Sequence, residues 1–465
     1  MKKYLLLFIL LLTIPLYSQE INFGYDTRLT DEITFSNELS AYNFIKTSLV
    51  ASGASDDEIT NDILKLQNLF LEFKNELNIN NIVENEQSAE YALNFLYEKL
   101  FTSYSINQTK VNVTINSGIY NCVSSTIIYM YFIKSLGITV SAVETPKHSF
   151  CTLSFEDKQI DVETTNPYGF NPGVKKDIST NTNQKKYAVV PAKDYYGRKD
   201  IDDNRIMALI YNNRIAALQK QKNDKVTIPL AIDAMKLQNY SEPSISTFQM
   251  CVLNTAIDLS LIGKNEEGID VVLTASEKFG NCKLYSSYIE ASVGKIINAQ
   301  QKNNQYEDSF STLEKYKSYI GEEYYSELLN GITINFLNYK ITNSTFEDSY
   351  NSIKEKRNSI SNKDYEKLLS LSYCYEAEKI SKDSGYIEAW KFLEKSNVEL
   401  TNNYSINNQI KVYKQNYAIT VHNKAAKLVN DGDKSFAKKE ILLGLENVSD
   451  SSILQNDLKR LDYDK

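Results

Sequence analysis

From about Asp200 to its end the chain carries no strand-like alternation of apolar and polar residues, which commits more than half of it to helix. One spacing recurs there. A small residue is followed by another twelve positions on, across a polar turn: Ala256 and Gly268 in "AIDLSLIGKNEEG", Ala377 and Ala389 in "AEKISKDSGYIEA", Ala425 and Ala437 in "AAKLVNDGDKSFA". Two helices packed closely side by side need small residues where they cross, and this spacing places one on each helix. That is the pattern of a helical-repeat array, with an irregular helical domain as the alternative. Seven prolines and sixteen glycines are few for 465 residues, which also favours long helices over tight turns.

Upstream the period changes. "SDDEITNDILKLQNLFLEFKNEL" reads as a helix capped by Ser55, with acids in its first turn and Ile63, Leu66, Phe70 and Phe73 at helical spacing. "EQSAEYALNFLYEKLFTSY" reads as a second. In "SGIYNCVSSTIIYMYFIKSLGI", Gly118 breaks the chain, Val123 to Leu136 suits a buried helix, and Gly137 fits just past its end. Then "ITVSAVE", "HSFCTLSF" and "QIDVE" alternate as strands, and "TTNPYGFNPG" is a loop.

The start, "MKKYLLLFILLLTIPLYSQE", has a basic Lys2-Lys3 region, an apolar stretch from Tyr4 to Leu16 and a small residue at Ser18. It reads as a secretory signal peptide over residues 1–18, so the protein is expected to be secreted or periplasmic. No later run reaches the roughly 18 apolar residues of a spanning helix, so no stable membrane insertion is expected. The formal charge of −8 becomes more negative once Lys2 and Lys3 are removed, which argues against nucleic acid as partner. Five irregularly spaced cysteines do not make a disulfide framework, although Cys251 and Cys282 could pair. No spacing suggests a metal, and no cofactor is expected.

Two histidines are present, His148 and His422. Cys122 falls at the start of the predicted buried helix, where unpaired N–H groups and the helix dipole favour a thiolate. His148 stands in the break between two strands, and the third strand could bring Glu163 or Asp161 beside it, since residues two apart share a face. Nucleophile, base and orienting acid are the parts of a catalytic triad. Taken singly, each has an ordinary reading: a buried small cysteine, a histidine in a hairpin, a solvated acid. Cys151, an odd number of steps from His148, should face the core.

The sequences "YNCVSSTIIYMYFIKSLGI", "VETPKHSF" and "QIDVETTNPYG" resemble the bacterial branch of the transglutaminase-like superfamily. There an Asn-Cys pair begins a helix, a Pro-x-His segment starts a strand, and an acid followed by Thr or Pro ends the next. The resemblance covers roughly residues 40 to 240, and the downstream units resemble degenerate tetratricopeptide repeats. It implies an α+β fold: a papain-like, transglutaminase-like N-terminal domain over residues 19–198, then an all-α, tetratricopeptide-like helical-repeat domain over residues 199–465. It implies Cys122 as nucleophile, His148 as base and Glu163 as orienting acid, Glu163 matching better than Asp161 because Thr164 follows it. The one tryptophan, Trp390, lies in the repeats and no calcium motif is present. Hydrolysis or acyl transfer at an amide is therefore expected, rather than animal-type cross-linking, on a protein or peptide that the repeats help to bind. The alternative is a non-catalytic binding or scaffold protein with the same parts.

Overall fold

The computed structural model describes residues 21–36, 38–172 and 187–463; the signal peptide expected over residues 1–18 lies outside them. The chain divides into two compact units, one ending at Tyr285 and the other starting at Ser286.

The first unit opens with α1 (Asp31–Thr34), α2 (Ala41–Ser52), α3 (Asp56–Ile79) and α4 (Asn85–Lys99). Ser55 closes a capping box with Glu58 at the start of α3, and Ile59, Ile63, Leu66, Phe73 and Leu77 form its buried stripe. Next come β1 (Ser103–Tyr104), α5 (Val111–Ser117), β2 (Ile119–Tyr120) and α6 (Cys122–Ser135). Three antiparallel strands follow, β3 (Thr139–Glu144), β4 (Ser149–Ser154) and β5 (Gln159–Val162), and a fourth, β6 (Lys199–Ile201), gives the order β5-β4-β3-β6. Helices α7 (Asp203–Lys220), α8 (Thr227–Leu237), α9 (Glu242–Leu261) and α10 (Asn265–Phe279) complete the unit.

Helix α6 is buried from Val123 to Ile133 and packs on β3 and β4, and also against α2 and α4. Val140, Ala142, Cys151, Leu153, Ile160 and Val162, all of one strand parity, meet it in a single core. Cys151 is completely buried there, and all five cysteines are free, so Cys251 and Cys282 do not pair.

The expected α+β class, a papain-like N-terminal domain followed by a helical tail, is overturned. Helix makes up 71% of the structure and strand 6%, so the protein is mostly all-α. The alternating runs do form strands, but the longest has six residues. They make a small sheet whose core is shared with residues of helices α1 to α8.

The remaining helices are α11 (Lys283–Lys302), α12 (Tyr306–Lys315), α13 (Glu322–Asn343), α14 (Phe346–Glu355), α15 (Asn362–Asp383), α16 (Tyr386–Lys395), α17 (Tyr404–Asn430), α18 (Lys434–Asn447) and α19 (Ser452–Tyr463). Short helices α12, α14 and α16, of 10 residues each, alternate with long ones, and each ends in a 3-10 turn. Equivalent positions recur at a constant interval: Tyr306, Phe346 and Tyr386 open the short helices, Leu313, Ile353 and Leu393 are their buried anchors, and Ile320, Ile360 and Leu400 close the turns. Ala377 and Ala389, and Ala425 and Ala437, are buried on consecutive helices, as Ala256 and Gly268 are in the first unit. Among the described residues, no helix is long and apolar enough to cross a membrane.

Candidate active site

Asn121 sets the position of Cys122. Its side chain accepts from the N–H of Ser124 at 3.0 Å, and the Ser124 hydroxyl accepts from the N–H of Asn121 at 3.0 Å. This capping box begins α6 at Cys122, a partly exposed residue whose neighbours on the helix are buried.

His148 is fixed by the turn between β3 and β4. The N–H of Thr145 donates to the His148 carbonyl at 2.8 Å, and the Thr145 hydroxyl accepts from the N–H of His148 at 3.0 Å. The ring stacks near Phe150 and meets Tyr195 edge-on, with centroids 6.3 and 6.0 Å away. Its Nε2 lies 2.7 Å from Oε2 of Glu163, and its ring is near enough to Cys122 for the two to shift each other's titration. With Nε2 on the carboxylate, Nδ1 is the ring nitrogen left for sulfur.

Glu163 comes just after β5 and is 4% exposed. Its Oε1 accepts from the Thr165 N–H at 3.0 Å and the Thr165 hydroxyl at 2.7 Å, and its Oε2 accepts from the Tyr195 hydroxyl at 2.7 Å. The next residue ties strand to helix: the Thr164 hydroxyl lies 2.9 Å from that of Ser125 and 2.8 Å from that of Thr126, both on α6, and Tyr97 donates to its carbonyl at 3.0 Å.

Cys122, His148 and Glu163 are thus brought together, and Asp161 is not. Asp161 lies on the same side of the strand but further along it. Its carboxylate takes the Thr152 hydroxyl at 2.8 Å and the Arg198 guanidinium at 2.8 Å.

Burial opposes charge on all three residues, and at each it is outweighed. His148 first, and Ser149 after it, bring the Cys122 thiol below its ordinary value. Glu163 and Cys122 push His148 up to about 10. His148, Thr165 and Tyr195 hold Glu163 below the usual carboxylate range. Each shift favours the charged form: thiolate at Cys122, imidazolium at His148 and carboxylate at Glu163. Burial has the opposite result elsewhere: it pushes Cys151 up, and Cys251 and Cys374 up to about 11.

Tyr195 and Thr165 carry no signal that would have marked them in sequence. Tyr195 is one of 33 tyrosines, in a short 3-10 helix far along the chain from Glu163. Thr164 was legible only as a motif neighbour. No protein-family model matches this chain, and no curated protein matches it.

Proposed function

We propose that this protein is an exported cysteine-dependent enzyme that hydrolyses, or transfers the acyl group of, an amide in a protein or peptide. The observation that carries this reading is the buried His148–Glu163 pair, 2.7 Å apart, beside Cys122 at the start of α6, whose thiol it lowers. The motif order of transglutaminase-like cysteine enzymes supports it, and the leader "MKKYLLLFILLLTIPLYS" supports export.

The Cys122 thiolate attacks the carbonyl carbon, and the oxygen takes up the negative charge beside the N-terminus of α6, where the N–H of Cys122 is a donor. Collapse breaks the C–N bond as the His148 imidazolium gives its proton to the leaving amine, leaving a thioester and neutral imidazole. His148 then takes a proton from water or an incoming amine, which attacks the thioester and restores the thiolate–imidazolium pair. Glu163 keeps the ring oriented and steadies its positive charge throughout. The helices downstream serve to hold the polypeptide substrate.

The test is alkylation of the purified mature protein with iodoacetamide across pH, with each cysteine followed by peptide mass spectrometry. Cys122 is expected to react faster than Cys374 below pH ~8, where an ordinary thiol is mostly protonated. Equal rates at the two cysteines would sink the activated-thiolate reading.

A further inference from the structure

Resting on the triad reading above, we infer that Tyr195 is a positioning residue of the site, acting through Glu163 to keep the imidazolium of His148 facing Cys122. Three of the four donors on the Glu163 carboxylate are already accounted for: His148 itself, and the N–H and hydroxyl of Thr165 in the turn that carries Glu163. The fourth is the Tyr195 hydroxyl, from a different segment, 2.7 Å from the same oxygen that meets His148. Oxygen Oε2 is thus held between phenol and imidazole. Without the phenol, only His148 holds that oxygen, while the two Thr165 donors still hold the other.

Tyr195 also fixes the ring that Glu163 serves. It stands edge-on to His148, and edge-on to Phe150 with centroids 5.5 Å apart. Its segment is fastened to the sheet three residues later by Arg198, which pairs with Asp161, donates to the Thr152 hydroxyl at 3.2 Å and lies 5.3 Å from the Phe150 ring centroid. Asp161 therefore belongs to a clasp that presents Tyr195. Burial and the charge of Glu163 keep the phenol protonated well beyond its ordinary range, so it remains a donor.

The other ionisable groups that face Glu163 are neutral at working pH or already described. Tyr97, Tyr104 and Tyr120 have phenols pushed up chiefly by burial, and Cys151 has its thiol pushed up on the core side. Cys122 and His148 are the members shifted toward their charged forms, and Asp161 faces Arg198.

The experiment is the pH profile of Cys122 alkylation by iodoacetamide in the full chain, for wild type, Tyr195→Phe, Glu163→Gln and the double variant. Phe keeps the ring packing and removes only the hydroxyl. As the imidazolium loses its fixed counter-ion, the thiolate loses its counter-charge, so the acid limb of Tyr195→Phe is expected to move up by about one pH unit. In the Glu163→Gln background the same substitution is expected to add no further shift, because its route is gone. Tyr196→Phe, at an exposed neighbour, is expected to match wild type. An unmoved or downward-moved limb in Tyr195→Phe, with Cys122 still fast in wild type, overturns this inference alone. A full shift in the Glu163→Gln background overturns the route through Glu163. A wild-type Cys122 no faster than Cys374 overturns the triad reading itself.

Discussion

Gly169 lies so close to Glu163 that a Cβ built on it would stand 1.9 Å from the Glu163 carbonyl oxygen and 2.8 Å from its Cβ. The N–H of Glu163 donates to the Gly169 carbonyl at 2.8 Å, so the turn from Glu163 to Gly169 closes on a glycine with no room for a side chain. In Gly169→Ala the added methyl group must displace the Glu163 backbone, which is expected to draw the carboxylate off His148. We expect a loss of about 1–3 kcal/mol in urea unfolding and a Cys122 alkylation rate near that of Cys374. A variant with wild-type rate and midpoint would mean that the backbone accommodates the methyl group without moving the acid.

The two acids that strand parity left level are expected to separate sharply. Asp161 and Arg198 form a half-exposed pair, with side chains 32% and 44% accessible, so Asp161→Asn should cost no more than about 1 kcal/mol and change Cys122 reactivity by only about twofold. Glu163→Gln removes the buried charge opposite the imidazolium and should slow Cys122 alkylation at pH ~6 by about tenfold or more. The comparison needs only the rate constants of the two variants under one set of conditions.

The His148–Glu163 pair makes stability depend on pH in a defined direction. Glu163 is depressed from its ordinary value of 4.5, so its contribution is present above that value and lost as pH falls through its folded value. His148 is raised from 6.5 to about 10, so its contribution is full below 6.5 and lost as pH rises through about 10. The pair contributes most between these ordinary values, around pH 5 to 6.5. Removing one partner leaves a buried group unpaired, so His148→Ala should lower stability by about 3–5 kcal/mol there. That difference from wild type should shrink steadily from pH ~7 to ~10, as followed by urea midpoints. A gap that widens with pH would contradict the assignment.

Thr164→Val keeps the shape of the side chain and deletes the hydroxyl shared by Ser125 and Thr126. Two buried hydroxyls on α6 lose a partner, which should cost about 1–3 kcal/mol. Because the bond joins the helix of Cys122 to the turn of Glu163, hydrogen exchange should rise at the amides of Ser125 to Thr164 nearest the junction more than in α3 or α10. Uniform change across the first unit would indicate a general loss of stability instead.

Part of this protein can be read from local pattern. The start of α6 at Cys122 follows from an Asn-Cys pair before an apolar run, and the strands around His148 follow from alternation, because caps and pleats are set by residues a few positions apart. The small residues at helix crossings are legible for the same reason. The recurrence of Tyr306, Phe346 and Tyr386 was present in the sequence too, but degenerate neighbours hid it until the helix lengths made the interval plain.

The fold class was misjudged because periodicity identifies elements without weighing them. Three convincing strand patterns became a four-stranded sheet of short strands inside a mostly helical unit. What the sequence determined by itself was the type of each element and the parity of its faces, which left Asp161 and Glu163 both open, with the motif resemblance favouring Glu163. Only the tertiary structure shows what each acid meets, through where β5 ends, where Arg198 lands and where the Tyr195 hydroxyl reaches. Those contacts join segments far apart in the chain, and the burial that makes them strong comes from packing that no local pattern encodes.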